Sequence, residues 1–407
     1  MAGRARSRSF VTSEHCAAVR SSDTRRRILL ELFQAALARV DGRSCVREAL
    51  LHSARTGKPV WAAAVGKAAS SMALGAHDAL GHSLQRILII TKQDHVEPEA
   101  HALPGVEVME SAHPVPDERS LRAGQRLLEW VDALPADVEP LFLISGGASS
   151  LVEVLDDGVT FADLARLNQE GLASGVPINE LNARRITLSR IKGGKLAARL
   201  GERSARALFI SDVPGNDPDI IGSGLLGSTP GRSHDNIQRE IVGSVDAAIS
   251  AVRAAAEERG LRTQATRKRF DDDASRLAVR FTHELAVSAA QVCVWGGESV
   301  VTLPASPGRG GRNQHLALAA AKLIAGHDDL LLLAAGTDGT DGPTEDAGGL
   351  VDSETCARIV LADLDVTDCL DRADAGTALE AAGDLVSTGP TGTNVGDIVI
   401  GLKLSCV

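Results

Sequence analysis

The chain has no tyrosine, and only three tryptophans and seven phenylalanines among 407 residues. Its cores must therefore be built from Val, Leu, Ile and Ala. Lysine is scarce as well, with eight against 35 arginines, so a lysine placed beside glycines is worth a chemical reading. The six cysteines (Cys16, Cys45, Cys293, Cys356, Cys369 and Cys406) form neither a C-x-x-C pair nor a Cys/His ligand spacing. They read as reduced thiols of a cytoplasmic protein. No apolar run approaches the ~18 residues that a membrane span needs, so no membrane partner is expected. Excess positive charge is missing too. The formal net charge is −10, which argues against nucleic acid as a partner, because phosphate backbones reward clustered Lys and Arg. Two fingerprints are also absent. Without G-x-x-x-x-G-K-[ST] there is no Walker loop, and without G-x-S-x-G no hydrolase nucleophile elbow; the SGGASS stretch that follows the apolar run at 141 is not a G-x-G-x-x-G either, which counts against a nicotinamide-binding Rossmann site.

What is present reads as globular, with 44% hydrophobic and 24% charged residues. The length suggests two or three domains at about 150 residues each. Short continuous apolar runs, as in strands buried on both faces, occur at 60–65, 86–90, 106–110, 141–145 and 207–211. Helical patterns such as ERSLRAGQRLLEWVDAL separate most of them. This β-α-β rhythm predicts a Rossmann-like parallel sheet flanked by helices. Residues 243–290 read as helical throughout. A second α/β region begins near QVCVWGG at 291 and closes with IVIGLKL at 398–404. The expected organisation is a disordered extension over 1–25, rich in Arg and Ser as a transit peptide also is, then an N-terminal unit over 26–275 and a C-terminal unit over 276–407. A homodimer is compatible with the sequence.

Ligands of open α/β sheets bind beyond the carboxyl ends of strands. Five apolar runs here end in glycine plus a polar or charged group. The first leads into Gly66-Lys67, and the run at 141 into Ser145-Gly146-Gly147-Ala148-Ser149-Ser150. The others lead into Ser211-Asp212, Gly297-Glu298 and the doubled Gly-Thr-Asp of 336–341. Glycines after a strand let backbone amides approach an anion. Compact ammonium groups at Lys67 and Lys192 suit phosphate oxygens, whereas Lys195 reads as a solvated helix charge. PGRGGRNQ surrounds Arg309 and Arg312 with glycines just before a helix, an arrangement that traps anions. TGPTGTNVGD offers hydroxyl and amide donors, among them Thr391 and Asn394. Asp338 and Asp341 suit magnesium, which takes one or two carboxylates and keeps several waters, and Asp212 is a rival for that task. Plain turn chemistry also accounts for the Gly-Thr-Asp doublet. His113, before a proline, reads as structural.

In series, AVGKAA, SAHPVPDE, LISGGASSL, LSRIKGGKLAA, SDVPGNDP, WGGES, PGRGGRNQ, AAGTDGTDGPTEDAGG and TGPTGTNVGD resemble the type-2 glycerate kinase family with its C-terminal MOFRL region. The resemblance spans nearly the whole folded chain. It implies two α/β domains with an active-site cleft between them, and ATP-dependent, Mg²⁺-requiring phosphorylation of D-glycerate to 2-phosphoglycerate. It places the catalytic pair on Lys67 and Arg312. The expected nucleotide contacts are Ser145, Gly146, Gly147, Ser149, Lys192 and Asp212. Those to a small hydroxy-acid substrate are Arg309, Asn313, Thr391 and Asn394, and those to the metal Asp338 and Asp341. The chain departs from the family pattern at Ile186-Thr187, Leu225-Leu226 and Ala373 to Gly376. Alternative readings are a kinase for another small hydroxy or sugar acid, a hydroxypyruvate reductase, and a non-catalytic relative.

Overall fold

The computed structural model describes residues 13–53, 57–174, 178–266 and 268–404. Twelve strands form two six-stranded sheets. The first holds β1 (Val60–Val65), β2 (Leu84–Lys92), β3 (Val106–Ser111), β4 (Glu139–Ile144), β5 (Ala205–Ser211) and β6 (Ile237–Ser244) in the order β3-β2-β1-β4-β5-β6. Every pairing in it is parallel. The strand order reverses between β1 and β4, and a crevice opens at such a switch point. The five expected apolar runs all lie in this sheet. The strand β6 had no apolar signature, because its middle residues Arg239 and Glu240 are only half-buried at the sheet edge.

The second sheet holds β7 (Thr263–Ala265), β8 (Val292–Gly297), β9 (Leu330–Gly336), β10 (Gly348–Val351), β11 (Leu385–Val386) and β12 (Asp397–Lys403) in the order β11-β10-β9-β12-β8-β7. It is mostly antiparallel, with β7–β8 as its parallel pair. Residues 243–290 are therefore not helical throughout, since β7 separates the helices Val245–Glu258 and Ala274–Val287. The strand β7 precedes residue 276 in the chain yet pairs within the second sheet.

Alternation along the strands builds the layers. In β1, Ala62 and Ala64 face one apolar cluster while Ala63 and Val65 face another. The first cluster continues through the helices Ser13–Arg39, Ala69–Leu80 and Val245–Glu258 to Val292, Leu333 and Ile400 of the second sheet. These helices thus form a middle layer shared by both sheets. The outer face of each sheet has its own cluster, and the few aromatics concentrate there. Trp61, Trp130 and Phe142 meet on one side, with ring centroids 5.9–6.1 Å apart. On the other, Phe270, Phe281 and Trp295 meet, with Phe281 and Trp295 stacked at 4.6 Å. The expected extension falls partly on residues 1–12, outside the described residues, and the first described helix starts at Ser13. Among the described residues no helix is long and apolar enough to cross a membrane.

Candidate active site

The carboxyl ends of β1 and β4 meet at the switch point. Gly66 has φ +134°, and a Cβ there would lie 2.1 Å from Ser145 Oγ. Only glycine permits that approach. Ser145 Oγ accepts the Ala68 amide at 3.0 Å, and the Gly146 carbonyl accepts the Lys67 amide at 2.9 Å. Gly147, at φ +86°, lies against Lys67 Cγ and the ring of His113. Ser145, Gly146 and Gly147 therefore shape the bed from which Lys67 projects. Ser149 faces away from it and pairs with Ser223 Oγ at 2.6 Å.

The second sheet supplies the opposite wall. Because β12 runs antiparallel to β8 and β9, Asp397 at its start is registered with Gly297 and Gly336 at their ends. Glu298, Asp338 and Asp397 thus share one sheet edge. Arg312, at the start of the helix Arg312–Ile324, donates to Asp397 through Nε at 2.7 Å and Nη2 at 3.1 Å, and to Glu298 through Nη1 at 2.5 Å. Burial works against the guanidinium charge, but Asp397 and Glu298 more than offset it and raise its pKa. Across the gap, Lys67 Nζ donates to Asp338 Oδ2 at 2.7 Å. Although burial opposes ionisation, the Lys67 ammonium holds the Asp338 carboxyl down at about 2. A cavity of 1150 Å³ joins the two walls. Lys67, Lys92 and His113 line it from the first sheet, and Arg312, Asp338 and Asn394 from the second.

Several expected placements are corrected. Lys192 is buried and bonds Glu153 Oε2 at 2.5 Å, with both side chains nearly solvent-free, and it does not line the cavity. Lys195 is not a solvated helix charge, since its Nζ donates to the carbonyls of Ile186 and Ser189. Arg309 is exposed and turned to Glu380 and Asp346. It lines an adjoining surface hollow, which shares Pro343 to Asp346 and Ser387 with the cavity, rather than the cavity itself. Asp341 does border the cavity, but both its oxygens are engaged. They accept the amides of Asn313 at 3.1 Å and Gln314 at 2.8 Å, together with Asn313 Nδ2 at 3.3 Å. The anion trapped by the glycine-rich loop and its helix start is thus the protein's own carboxylate. Burial, with Asp397 adding to it, pushes Asp341 up to about 7. Asn313 is buried behind it, and Thr391 Oγ1 is spent on the Thr337 carbonyl at 2.5 Å. Asp212 stands behind Gly146 and accepts Asn394 Nδ2 at 3.2 Å; burial and then Glu298 raise it to about 6.

The sequence reading missed Lys92, at the very end of β2, and the partners of Arg312. Lysine scarcity was a usable signal for Lys92. Nothing local ties Arg312 to Asp397, which is 85 positions away. Of the departures from the family pattern, Ala373 lines the cavity, whereas Leu225 and Leu226 are buried in the core.

Residues 28–256 match the family described as a domain of unknown function (DUF4147), and residues 291–397 match the MOFRL family. A D-glycerate 2-kinase of Thermotoga maritima is 35% identical over 378 residues, covering 83% of this chain and 89% of its own. A protein of Agrobacterium vitis with the provisional name of hydroxypyruvate reductase is 34% identical over 92% of this chain and 93% of its own. The crystal structure of a glycerate kinase from Thermotoga maritima superimposes with a TM-score of 0.82 at 33% identity, covering 94% of this chain and all of that one. Two α/β units meeting at a cavity, and relatives of this extent, agree with the motifs read from the sequence: the chain belongs to the glycerate kinase family.

Proposed function

We propose that the protein transfers the γ-phosphoryl group of ATP to D-glycerate, giving 2-phosphoglycerate. One observation carries this reading: Lys67 and Arg312, rooted in different sheets, line a single cavity. Phosphoryl transfer asks little covalent work of a protein. It needs aligned oxygens and positive charge where negative charge gathers. Lys67 supplies a movable point charge from the switch-point bed. Arg312 supplies a planar, permanently charged group. Three of its five N–H donors are used on Asp397 and Glu298, which fixes its orientation and leaves the others for phosphate oxygens.

The donor set fits magnesium at one carboxylate. Asp338 is kept ionised beside the cavity, whereas the oxygens of Asp341 are committed to backbone amides. Among the described residues no cluster of three or more His, Cys, Asp or Glu could cage a metal. That agrees with an ion held largely by water and phosphates, with Asp338 in contact directly or through water. When bound, it would neutralise charge on the nucleotide phosphates. Lys67 would then pass from Asp338 to the migrating group, and the glycine-shaped bed would hold its stem in line. Exclusion of water by the two walls when substrates are bound would disfavour ATP hydrolysis.

Phosphorus NMR on a mixture of purified protein, ATP, Mg²⁺ and D-glycerate tests the reading. The expected new resonance is 2-phosphoglycerate, alongside ADP. Appearance of inorganic phosphate alone, or no change, would defeat it. Because Ala373 departs from the family pattern and lines the cavity, the same measurement on a panel of small hydroxy and sugar acids gives the acceptor range.

A further inference from the structure

Charge along the cavity is unevenly compensated. Arg312 faces two carboxylates and Lys67 faces one. Lys92 borders the same cavity half-buried, and its ammonium makes no hydrogen bond or ion pair among the described residues. The other lysines are not in this position. Lys192, Lys195, Lys322 and Lys403 all hold protein oxygens, Lys58 is also engaged, and Lys268 is exposed. A partly desolvated cation that only longer-range attraction from Asp338 and Asp94 compensates, with no carboxylate paired to it, costs stability that a bound anion restores.

Beside it stands His113. It too lines the cavity without a hydrogen-bond partner among the described residues, and its ring packs against Gly147. Burial, followed by the charges of Lys67 and Lys92, pushes this imidazole down to about 3, so it is neutral at physiological pH. A neutral imidazole presents one donor and one acceptor nitrogen. It is a poor phosphate ligand and a good partner for a hydroxyl group, which also donates and accepts.

We propose that Lys92 and His113 form the acceptor subsite, with Lys92 taking the carboxylate of a hydroxy acid and His113 a hydroxyl. A cation next to an uncharged amphoteric ring matches a molecule that carries a carboxylate at one end and a hydroxyl at the other, as glycerate does with its 3-hydroxyl. A polyphosphate chain, which at neutral pH offers acceptors almost exclusively, matches it poorly. Both residues flank Lys67, so an acid held by its carboxylate and 3-hydroxyl would have its 2-hydroxyl free near the group that Lys67 neutralises. The assignment rests on the kinase reading for its substrate class, but the subsite is testable apart from turnover.

The test compares Lys92→Met, Lys92→Arg and His113→Leu with the wild type, each first checked for unchanged melting. In steady-state kinetics, Lys92→Met should raise KM for D-glycerate on the order of 10- to 100-fold, as expected for a lost charge-assisted hydrogen bond. KM for ATP should stay within about two-fold. Lys92→Arg should recover most of the loss, and His113→Leu should raise KM for D-glycerate alone. A rise confined to KM for ATP, or no change in either, overturns the subsite. If the wild type proves inactive with glycerate, the function proposed above falls, and calorimetric binding decides the subsite by itself. D-glycerate should then bind the wild type, bind Lys92→Met at least about ten-fold more weakly, and outcompete glycerol, which has no carboxylate. Equal binding to wild type and Lys92→Met, or no binding at all, overturns it.

Discussion

At the scale of single residues, the site separates charges that are available to a ligand from charges that the protein has already used. Lys67 and Arg312 fall in the first group, and on the proposed mechanism truncating either would remove positive charge from the transition state. Loss of such a cation in phosphoryl transfer costs about 10³–10⁵ in rate. We expect a fall of that size in kcat per folded molecule for Lys67→Ala and for Arg312→Ala; near-wild-type turnover would remove that residue from the mechanism. Lys192 falls in the second group. Replacing it with Met strands Glu153 in a dry interior, and breaking a buried pair from one side costs about 3–5 kcal/mol. The double change Lys192→Met with Glu153→Leu should restore most of the stability. Activity per folded molecule should match the wild type in both, as measured by turnover normalised to native protein after denaturant titration. The contrast shows what the sequence could not convey. Both lysines sit beside glycines, and both were read as phosphate ligands. Burial separates them, and it is set by Glu153, 39 positions before Lys192. Asp341 was misread for the same reason. Its turn chemistry was plain, but the amides it accepts belong to a helix that begins 29 residues earlier.

Between secondary-structure elements, legibility follows burial. The strands β1 to β5 announced themselves because both their faces are covered, which leaves little room for polar side chains. The strands β6 and β7 did not, one being a polar edge and the other three residues long. The cleft was legible as a set of strand ends carrying glycine and charge. Which ends face one another was not, because that depends on strand order. The β1–β4 contact shows how tightly this geometry is drawn. Gly66→Ala would press a methyl group into Ser145 at a φ that L-residues rarely adopt. We expect a loss of about 3–5 kcal/mol, seen as a lower denaturation midpoint. In whatever protein remains folded, kcat should fall as well, since the same shift moves Lys67. Unaltered stability would mean that the two strand ends do not meet as described.

At the scale of the whole molecule, the middle layer of helices belongs to neither sheet alone. The helix Ser13–Arg39 packs with the helix Val245–Glu258 and reaches β9 and β12 of the second sheet. Neither half can cover its inner face without the other. Deleting Asp397–Lys403 should therefore leave no soluble folded product, because β12 lies between β8 and β9 and also supplies the carboxylate that orients Arg312. Soluble expression with a protease-resistant N-terminal portion would show that the first sheet stands by itself.

That central place of the last strand bears on how the protein is made. β12 is synthesised after both β8 and β9, which have no neighbour on that side until it arrives. The second sheet can close only once β12 has emerged, and until then two apolar strand edges are open to other chains. Cells producing this protein have reason to shield the nascent polypeptide during that interval, and synonymous codons that slow translation between β9 and β12 should raise the share lost to aggregation.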